Sequence, residues 1–586
     1  MFALAIALSL AGLAIGPALA ALGRGRVVPS AALDGLTLGL VPALIGLHLV
    51  PHLSEHLGPA ALALPAAGFV GLWLAERRSH NVDERVGRSI VVPAIVIHSL
   101  SDGAGLGIAA AAADAGSSTA FLLPLAIILH RMPEGLFLVT TLLPHIGWRR
   151  TLTQLGLVAV ATVVGAVAGR ELLEDLPHEI LDAFVAVGLG MMLRLVVHSH
   201  GPGPGRHEGA HSEGVAPSGG ADADSVARRR AALARGAGGA GFVVGLGLAL
   251  AIPMPDETLV HAAPHELSIA DSFGSLFVGT APMVLLGLLA AAMVRVALPR
   301  RRASWLRDDS TASQAIGGAL LSLKLLGWPL TIARVAAGAL LSLGLARLTA
   351  AGASPAAEPT QEGAARRALP ARVRAALADA FGPTLDRIAA WYVLGLVAAA
   401  ALETLVEPGI GARIGAPADV VVGALAAIPL AVGSYGAIPL AAVMIHKGVS
   451  VGAALAFLLV APATSVAALG VIRRRLGGLA ALRVVLGSVG CAIAAGIAAN
   501  ALTLGPTIPE IHTLAARDHA AIEWVCAAAL AALLLVSLLR LGPREWFGAM
   551  AITGHAHAEH DHAGHDHAGH DHGDGHGHAA QRRDSC

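Results

Sequence analysis

The chain of 586 residues is 55% hydrophobic, 14% charged and 3% aromatic, with a mean hydropathy of +0.69. A soluble domain carries roughly 25% charged residues, so this composition excludes a water-facing globule. The 40 basic and 40 acidic side chains balance, which gives no reason to expect a nucleic-acid partner, and three scattered cysteines (Cys491, Cys526, Cys586) exclude a disulfide framework or a cysteine zinc site.

A membrane helix needs about 20 mainly apolar residues. In the first half such windows fall at Phe2–Leu22, Asp34–Leu57, Ala60–Leu74, Ile90–Ala113, Ala120–Leu143, Leu152–Ala168, Ile180–Val197 and Gly236–Ile252. The first ends in Ala18-Leu19-Ala20, the form of a cleavage site, but lacks a positive n-region and is read as a retained helix. Residues 198–235, rich in Gly, His, Pro and Arg, are expected to be a disordered loop. In the second half the windows are Ser272–Leu298, Thr311–Leu326, Leu330–Leu348, Ala389–Leu405, Val451–Ile472, Leu479–Leu502 and Ala520–Leu539, with a polar linker over 349–387.

Val420–Ile445 is apolar but carries Pro429, Gly433, Gly436 and Pro439, which interrupt helical hydrogen bonding. It reads as two half-helices meeting at Val432-Gly433-Ser434-Tyr435, entering and leaving on one face. Such discontinuity at membrane depth points to a substrate pathway. The expected fold is an all-α polytopic membrane protein of about 15 transmembrane helices plus a broken re-entrant hairpin, with a disordered His-rich loop and tail. Arg24/Arg26, Arg77/Arg78/Arg85/Arg88, Arg149/Arg150 and Arg228–Arg230 follow alternate helices, which places the N-terminus outside and the tail inside a cytoplasmic membrane, read as bacterial.

Three helices carry the chemistry. His98-Ser99-Leu100-Ser101-Asp102-Gly103 and His130-Arg131-Met132-Pro133-Glu134-Gly135 each set an imidazole and a carboxylate four residues apart, on one helix face. A carboxylate at mid-bilayer costs about 2.5–3.5 kcal/mol on insertion scales and needs a partner, which a shared divalent cation supplies. His48, His52 and His56 repeat the four-residue step on the second helix. The expected metal ligands are His98, His130, Glu134, His48, His52 and Asp102, with Arg131 a competing partner for Asp102; a proton relay is the other use of these residues. The tail histidines His555, His557, His560, His562, His565, His567, His570 and His572 form a weaker, unselective metal-buffering tract.

The paired His-Ser-x-x-Asp-Gly and His-Arg-x-Pro-Glu-Gly segments, with Leu47-His48-Leu49-Val50-Pro51-His52, resemble the signatures of the ZIP (Zrt/Irt-like) metal transporters over residues 1–253. The resemblance implies an eight-helix module whose zinc site, often binuclear, takes His98, His130 and Glu134 as ligands. Ser99 and Arg131 depart from it where a second ion would sit, and the sixth helix offers no glutamate, so a single-metal site is expected. Residues 268–505, notably Pro439-Leu440-Ala441-Ala442 through Lys447-Gly448-Val449-Ser450 to Pro462-Ala463-Thr464, resemble the predicted permeases that include copper/zinc-efflux and organoarsenical types. No cysteine stands at 432–435, so a thiolate ligand for a soft ion is missing. Pro429, Gly433, Ser434, Tyr435, Gly436, Pro439, Pro462, Thr464 and Ser465 are the expected pathway residues, Thr464 and Ser465 as hydroxyl donors or as ordinary packing.

The organisation expected is thus a metal-transport module (1–253), a permease module (268–505), a last helix (520–541) and a His/Asp-rich tail (549–586). The function expected is a permease for divalent metal, foremost Zn2+, as substrate, with the lipid bilayer as surroundings, no organic cofactor, and homo-oligomerisation left open. The alternatives are an efflux permease whose first half only senses or delivers metal, and a non-transporting sensor. An intramembrane hydrolase would need a His-Glu-x-x-His helix, which the sequence lacks.

Overall fold

The computed structural model describes residues 2–22, 27–58, 60–79, 95–96, 98–100, 102–107, 110, 122–171, 178–199, 221–251, 269–297, 309–350, 369–406, 408–430, 432–464, 469, 472–473, 477–502 and 519–551. Every regular element among them is helical. Seven described stretches are long and apolar enough to cross a membrane, from Gly147–Glu171 to Ala521–Gly548, and six shorter apolar helices accompany them. The chain is an integral membrane protein.

The first half consists of α1 (Phe2–Leu22), α2 (Val27–Leu44), α3 (Val50–Leu57), α4 (Ala60–Ser79), a helical segment within 95–110, α5 (Leu122–Glu171), α6 (His178–Ser199) and α7 (Ala221–Ala251). A π turn, Ile45–Leu49, joins α2 to α3, with the Val50 N–H reaching Ile45 O. Pro51, next in sequence, has no N–H to continue an ordinary ladder, which accounts for the widened turn.

Close helix crossings use small residues, because apolar attraction between helices is weak in lipid and packing must replace it. Gly35 and Gly39 of α2 meet the α7 backbone at Gly238 and Phe242, and Gly241 and Gly245 of α7 meet α2 at Ala32 and Leu36, where an added methyl would lie 1.9–2.4 Å from the opposing backbone. Gly103 and Gly107 meet α5 at Thr162 and Ala166, and Gly165 and Gly169 of α5 meet Leu100 and Ala104 in the same way, at 2.1–2.3 Å.

Two long helices fold back on themselves. In α5, Asp102 touches Arg131 while Gly103 lies against Thr162. A continuous helix would hold Arg131 and Thr162 about 46 Å apart. The break is Gly147, at φ 74° and ψ 169°, a conformation open essentially to glycine alone. In α9 (Asp309–Ala350), after α8 (Ile269–Ala297), the Arg334 guanidinium reaches Gly318 O at 3.0 Å. The reversal there is Gly327, φ 76° and ψ 172°, between the two helices expected from the sequence. Gly327→Ala is expected to lower stability by about 1–3 kcal/mol, read from SDS-titration unfolding of the purified protein.

Two expected irregular segments are partly helical. The loop 198–235 is helical from Ala221 onward, as the first turns of α7, and the linker 349–387 is helical from Leu369 onward. Ala, Arg and Leu are strong helix formers, and their local preference in both stretches outweighs the polar composition read over the wider window. The second half continues with α10 (Leu369–Asp379), α11 (Leu385–Leu405), α12 (Ile410–Ile414), α13 (Ala418–Leu430), α14 (Ser434–His446), α15 (Val451–Ala463), α16 (Gly478–Ala501) and α17 (Ala521–Ala551).

The broken stretch is two half-helices, α13 and α14, with Val432 and Gly433 between them outside either helix. Its ends meet. The Gly409 and Gly411 N–H groups donate to Lys447 O at 3.1 and 3.3 Å, and the Ser450 N–H donates to Asp419 Oδ2 at 3.1 Å. The segment therefore folds back so that its two ends are adjacent, a broken hairpin, and α15 packs against both of its arms.

The last helix, α17, joins the halves. It packs on α7 of the first half and on α8 and α11 of the second. Arg235 Nε donates to Arg540 O at 3.2 Å, Arg544 pairs with Asp34, and Arg540 pairs with Asp386. After a reversal at Gly542, the Trp546 indole donates back to Ser537 Oγ at 3.2 Å, and Phe547 packs on Phe242.

Candidate metal centre

The 95–110 segment lies against both arms of α5, and glycine is what lets it approach. With Gly103 and Gly107 seated on the second arm, the preceding turn presents His98, Ser99 and Asp102 to Arg131 and Glu134 on the first arm. These five side chains are 0–5% exposed. His98 Nε2 stands 3.3 Å from Asp102 Oδ2, one helical turn on, so the expected shared face exists. His98, Asp102 and Glu134 can each offer a ligand atom such that all three lie within 4.8 Å of one another. Ligands around zinc at about 2.0–2.2 Å sit roughly 3.3–3.5 Å apart, so a modest contraction would bring this set onto one ion.

Arg131 is the centre of the cluster. Its Nη1 donates to Glu134 Oε2 at 2.6 Å and to Ser99 Oγ at 3.0 Å, and its Nη2 donates to Ser99 O at 3.3 Å. Asp102 Oδ2 is farther from it, at 3.4 Å. The expected Asp102 pairing is therefore the weaker of two, because Glu134, three residues on, shares a helix face with Arg131. Ser99 Oγ donates in turn to Glu134 Oε1 at 3.0 Å. Ser99 and Arg131 thus bond to each other and to one carboxylate.

Two ionised carboxylates and one guanidinium carry a net charge of −1. One divalent cation takes the cluster to +1; a second would take it to +3 in a low-dielectric interior, where like charges repel strongly. Any cation bound here would share these carboxylates with Arg131.

The other expected ligands lie partly outside the described atoms. His130 is on α5 beside Arg131, His48 is in the π turn and His52 on α3, but their side chains are not described. The tail histidines His555, His557, His560, His562, His565, His567, His570 and His572 also lie outside the described residues, as does Ser465.

Of the expected pathway residues, Gly433 caps α14, and Ser434, Tyr435, Gly436 and Pro439 are buried within it. Pro429 is in the last turn of α13. A methyl on Gly317 would lie 1.7 Å from the Tyr435 hydroxyl oxygen, so Tyr435 fills the space beside the α8–α9 crossing. Gly436 crosses Gly395 of α11 backbone to backbone. Pro462 is in the final turn of α15, and the Thr464 hydroxyl donates to Val460 O at 2.9 Å. That bond is the local helix-end bond of the ordinary-packing reading, and it leaves the hydroxyl oxygen its acceptor lone pairs.

Several charged groups emerge that the motif reading left unassigned. Glu403 takes His446 Nδ1 at 3.0 Å and Lys447 Nζ at 3.7 Å. Glu523 takes Lys324 at 2.7 Å and His519 Nδ1 at 3.1 Å. Arg334 lies between the arms of α9; its signal in the sequence is a lone charge in the apolar run between Lys324 and Arg347. No family model, no curated protein and no solved structure matches the chain.

Proposed function

We propose that the protein is a membrane transporter for divalent metal ions, zinc foremost, with a single-ion site in its first half. The observation that carries this reading is the buried His98–Asp102–Glu134 donor set, imidazole with two carboxylates on facing helices. Nitrogen and carboxylate oxygen suit zinc and its neighbours, and an intramembrane ionisable cluster marks a pathway by default. Ser99 and Arg131 are read as the replacement for a second ion, consistent with the ZIP-like resemblance and its departures. His130, His48 and His52 complete the proposed ligand field. The full reading has about 15 membrane helices, an outside N-terminus and the His-rich tail inside. The re-entrant hairpin is the proposed pathway of the second half, through Gly433, Ser434, Tyr435 and Gly436.

A second reading, in which the first half binds metal without passing it, is favoured by one observation. Arg131 is 0% exposed and bonded to Glu134 at 2.6 Å, which closes the centre from one side.

The test is zinc binding and radiozinc flux in proteoliposomes made with the full chain. Glu134→Ala and His98→Ala are each expected to weaken intramembrane zinc binding at least about 100-fold, while deletion of residues 555–578 leaves it intact. Flux lost in Glu134→Ala supports transport through the first half. Flux retained there but lost in Ser434→Trp assigns the path to the second half and leaves the first as a sensor. Unchanged zinc affinity in both alanine variants overturns the metal reading.

A further inference from the structure

Arg334 sits where a metal pathway would not want it. It lies on the second arm of α9, on the inward stripe formed with Leu330, Ala337 and Leu341, while Ile332 and Val335 face outward. Its Nη1 donates to Gly318 O at 3.0 Å and to Ser322 Oγ at 2.6 Å. A guanidinium has five N–H donors, and among the described residues neither Nε nor Nη2 is bonded. No carboxylate pairs with it among those residues, in contrast to Arg131, which has two.

The tip of the broken hairpin comes to the same place. A methyl on Gly318 would lie 3.3 Å from Arg334 Nη2 and 3.6 Å from Ser434 Cβ, so the guanidinium and Ser434 border one space about the size of a single atom. Ser434 is 7% exposed. It is the first residue of α14, a helix of 13 residues whose N-terminal end carries partial positive charge. A guanidinium without a carboxylate, a buried serine and a helix N-terminus meet beside Gly318, and all three favour negative charge.

We infer that the second half binds a small oxyanion, of the carboxylate or phosphate type, between Arg334 and Ser434 at the hairpin tip. The two halves then hold substrates of opposite sign, and the hairpin site does not depend on the metal centre. Arg334 is the anchor, since its planar fork suits two oxygens at once. Gly318 keeps the gap open.

The test is equilibrium binding of radiolabelled inorganic phosphate and acetate to the purified full chain, with zinc binding measured on the same samples. The expected result is saturable binding of one of the two, weakened at least about tenfold in Arg334→Gln and less in Arg334→Lys, with zinc affinity unchanged. Gly318→Ala, whose methyl would stand against both Arg334 Nη2 and Ser434 Cβ, is expected to weaken anion binding while the guanidinium charge is retained. It decides the matter if Arg334→Gln does not fold. Preference for phosphate or for acetate tells the two oxyanion chemistries apart. Absence of saturable binding of either anion to the wild type, or wild-type anion affinity in Arg334→Gln and Gly318→Ala, overturns the inference. Loss of zinc binding in Glu134→Ala with anion binding intact would separate this site from the metal reading.

Discussion

Arg131→Ala is expected to destabilise the metal-free protein by about 3–5 kcal/mol, and zinc is expected to restore much of that loss. The guanidinium is buried between Glu134, Ser99 and Asp102, and its removal leaves two carboxylates facing each other without a counter-charge. A buried charge stripped of its partner costs far more than the intact pair contributes. A divalent ion bound by both carboxylates can supply the missing charge. The variant should therefore show a larger zinc-induced rise in unfolding midpoint than the wild type, and more zinc bound per chain. Unchanged stability, stoichiometry and transport would remove Arg131 from its assigned place as stand-in for a second ion.

The next largest effect is expected at the crossing of α11 with α14. A methyl on Gly395 would lie 2.1 Å from the Gly436 Cα, and the atoms it meets are backbone, which cannot swing aside as a side-chain tip can. Gly395→Ala should force the helices apart and cost about 3 kcal/mol, at the upper end of single-methyl overpacking. Because Gly436 is two residues from Ser434, the displacement should also disturb the hairpin tip. The measurement is the SDS-unfolding midpoint together with protease sensitivity near residues 430–436. A wild-type profile in both would show that the crossing is looser than the backbone contact implies.

Much of this architecture is legible in the sequence, for identifiable reasons. Proline and glycine punctuate backbone locally, so Pro429, Gly433 and Pro439 announce the break before α14 directly. The four-residue spacing of His98 and Asp102 fixes a shared helix face, and the two side chains lie 3.3 Å apart. Contacts across helices are less legible. Arg131 satisfies the rule that a buried charge needs a partner, but the rule does not say which of two carboxylates is nearer. Glu134 wins because it is on the same helix. The G-x-x-x-G pairs at 35/39, 103/107, 165/169 and 241/245 were present as a signal for close crossings, yet spacing alone does not say which helix meets which. Arg334 was visible as a lone charge, but its position at the hairpin tip depends on the reversal at Gly327 and on Gly318.

The placement of α17 bears on how the protein is made. A chain synthesised from its N-terminus inserts α2 and α7 long before α17 leaves the ribosome, so Gly236 and Gly239 await the strip near Leu538 and Leu539 that will cover them. Until then, Asp34 has no Arg544 and Asp386 has no Arg540. The final membrane helix acts as a closing latch on segments made hundreds of residues earlier, and a nascent chain stalled before residue 521 would present an open seam to quality-control proteases. Cutting the gene between α7 and α8 would produce the same unfinished seam, so co-expressed halves should assemble only when α17 is present on one of them.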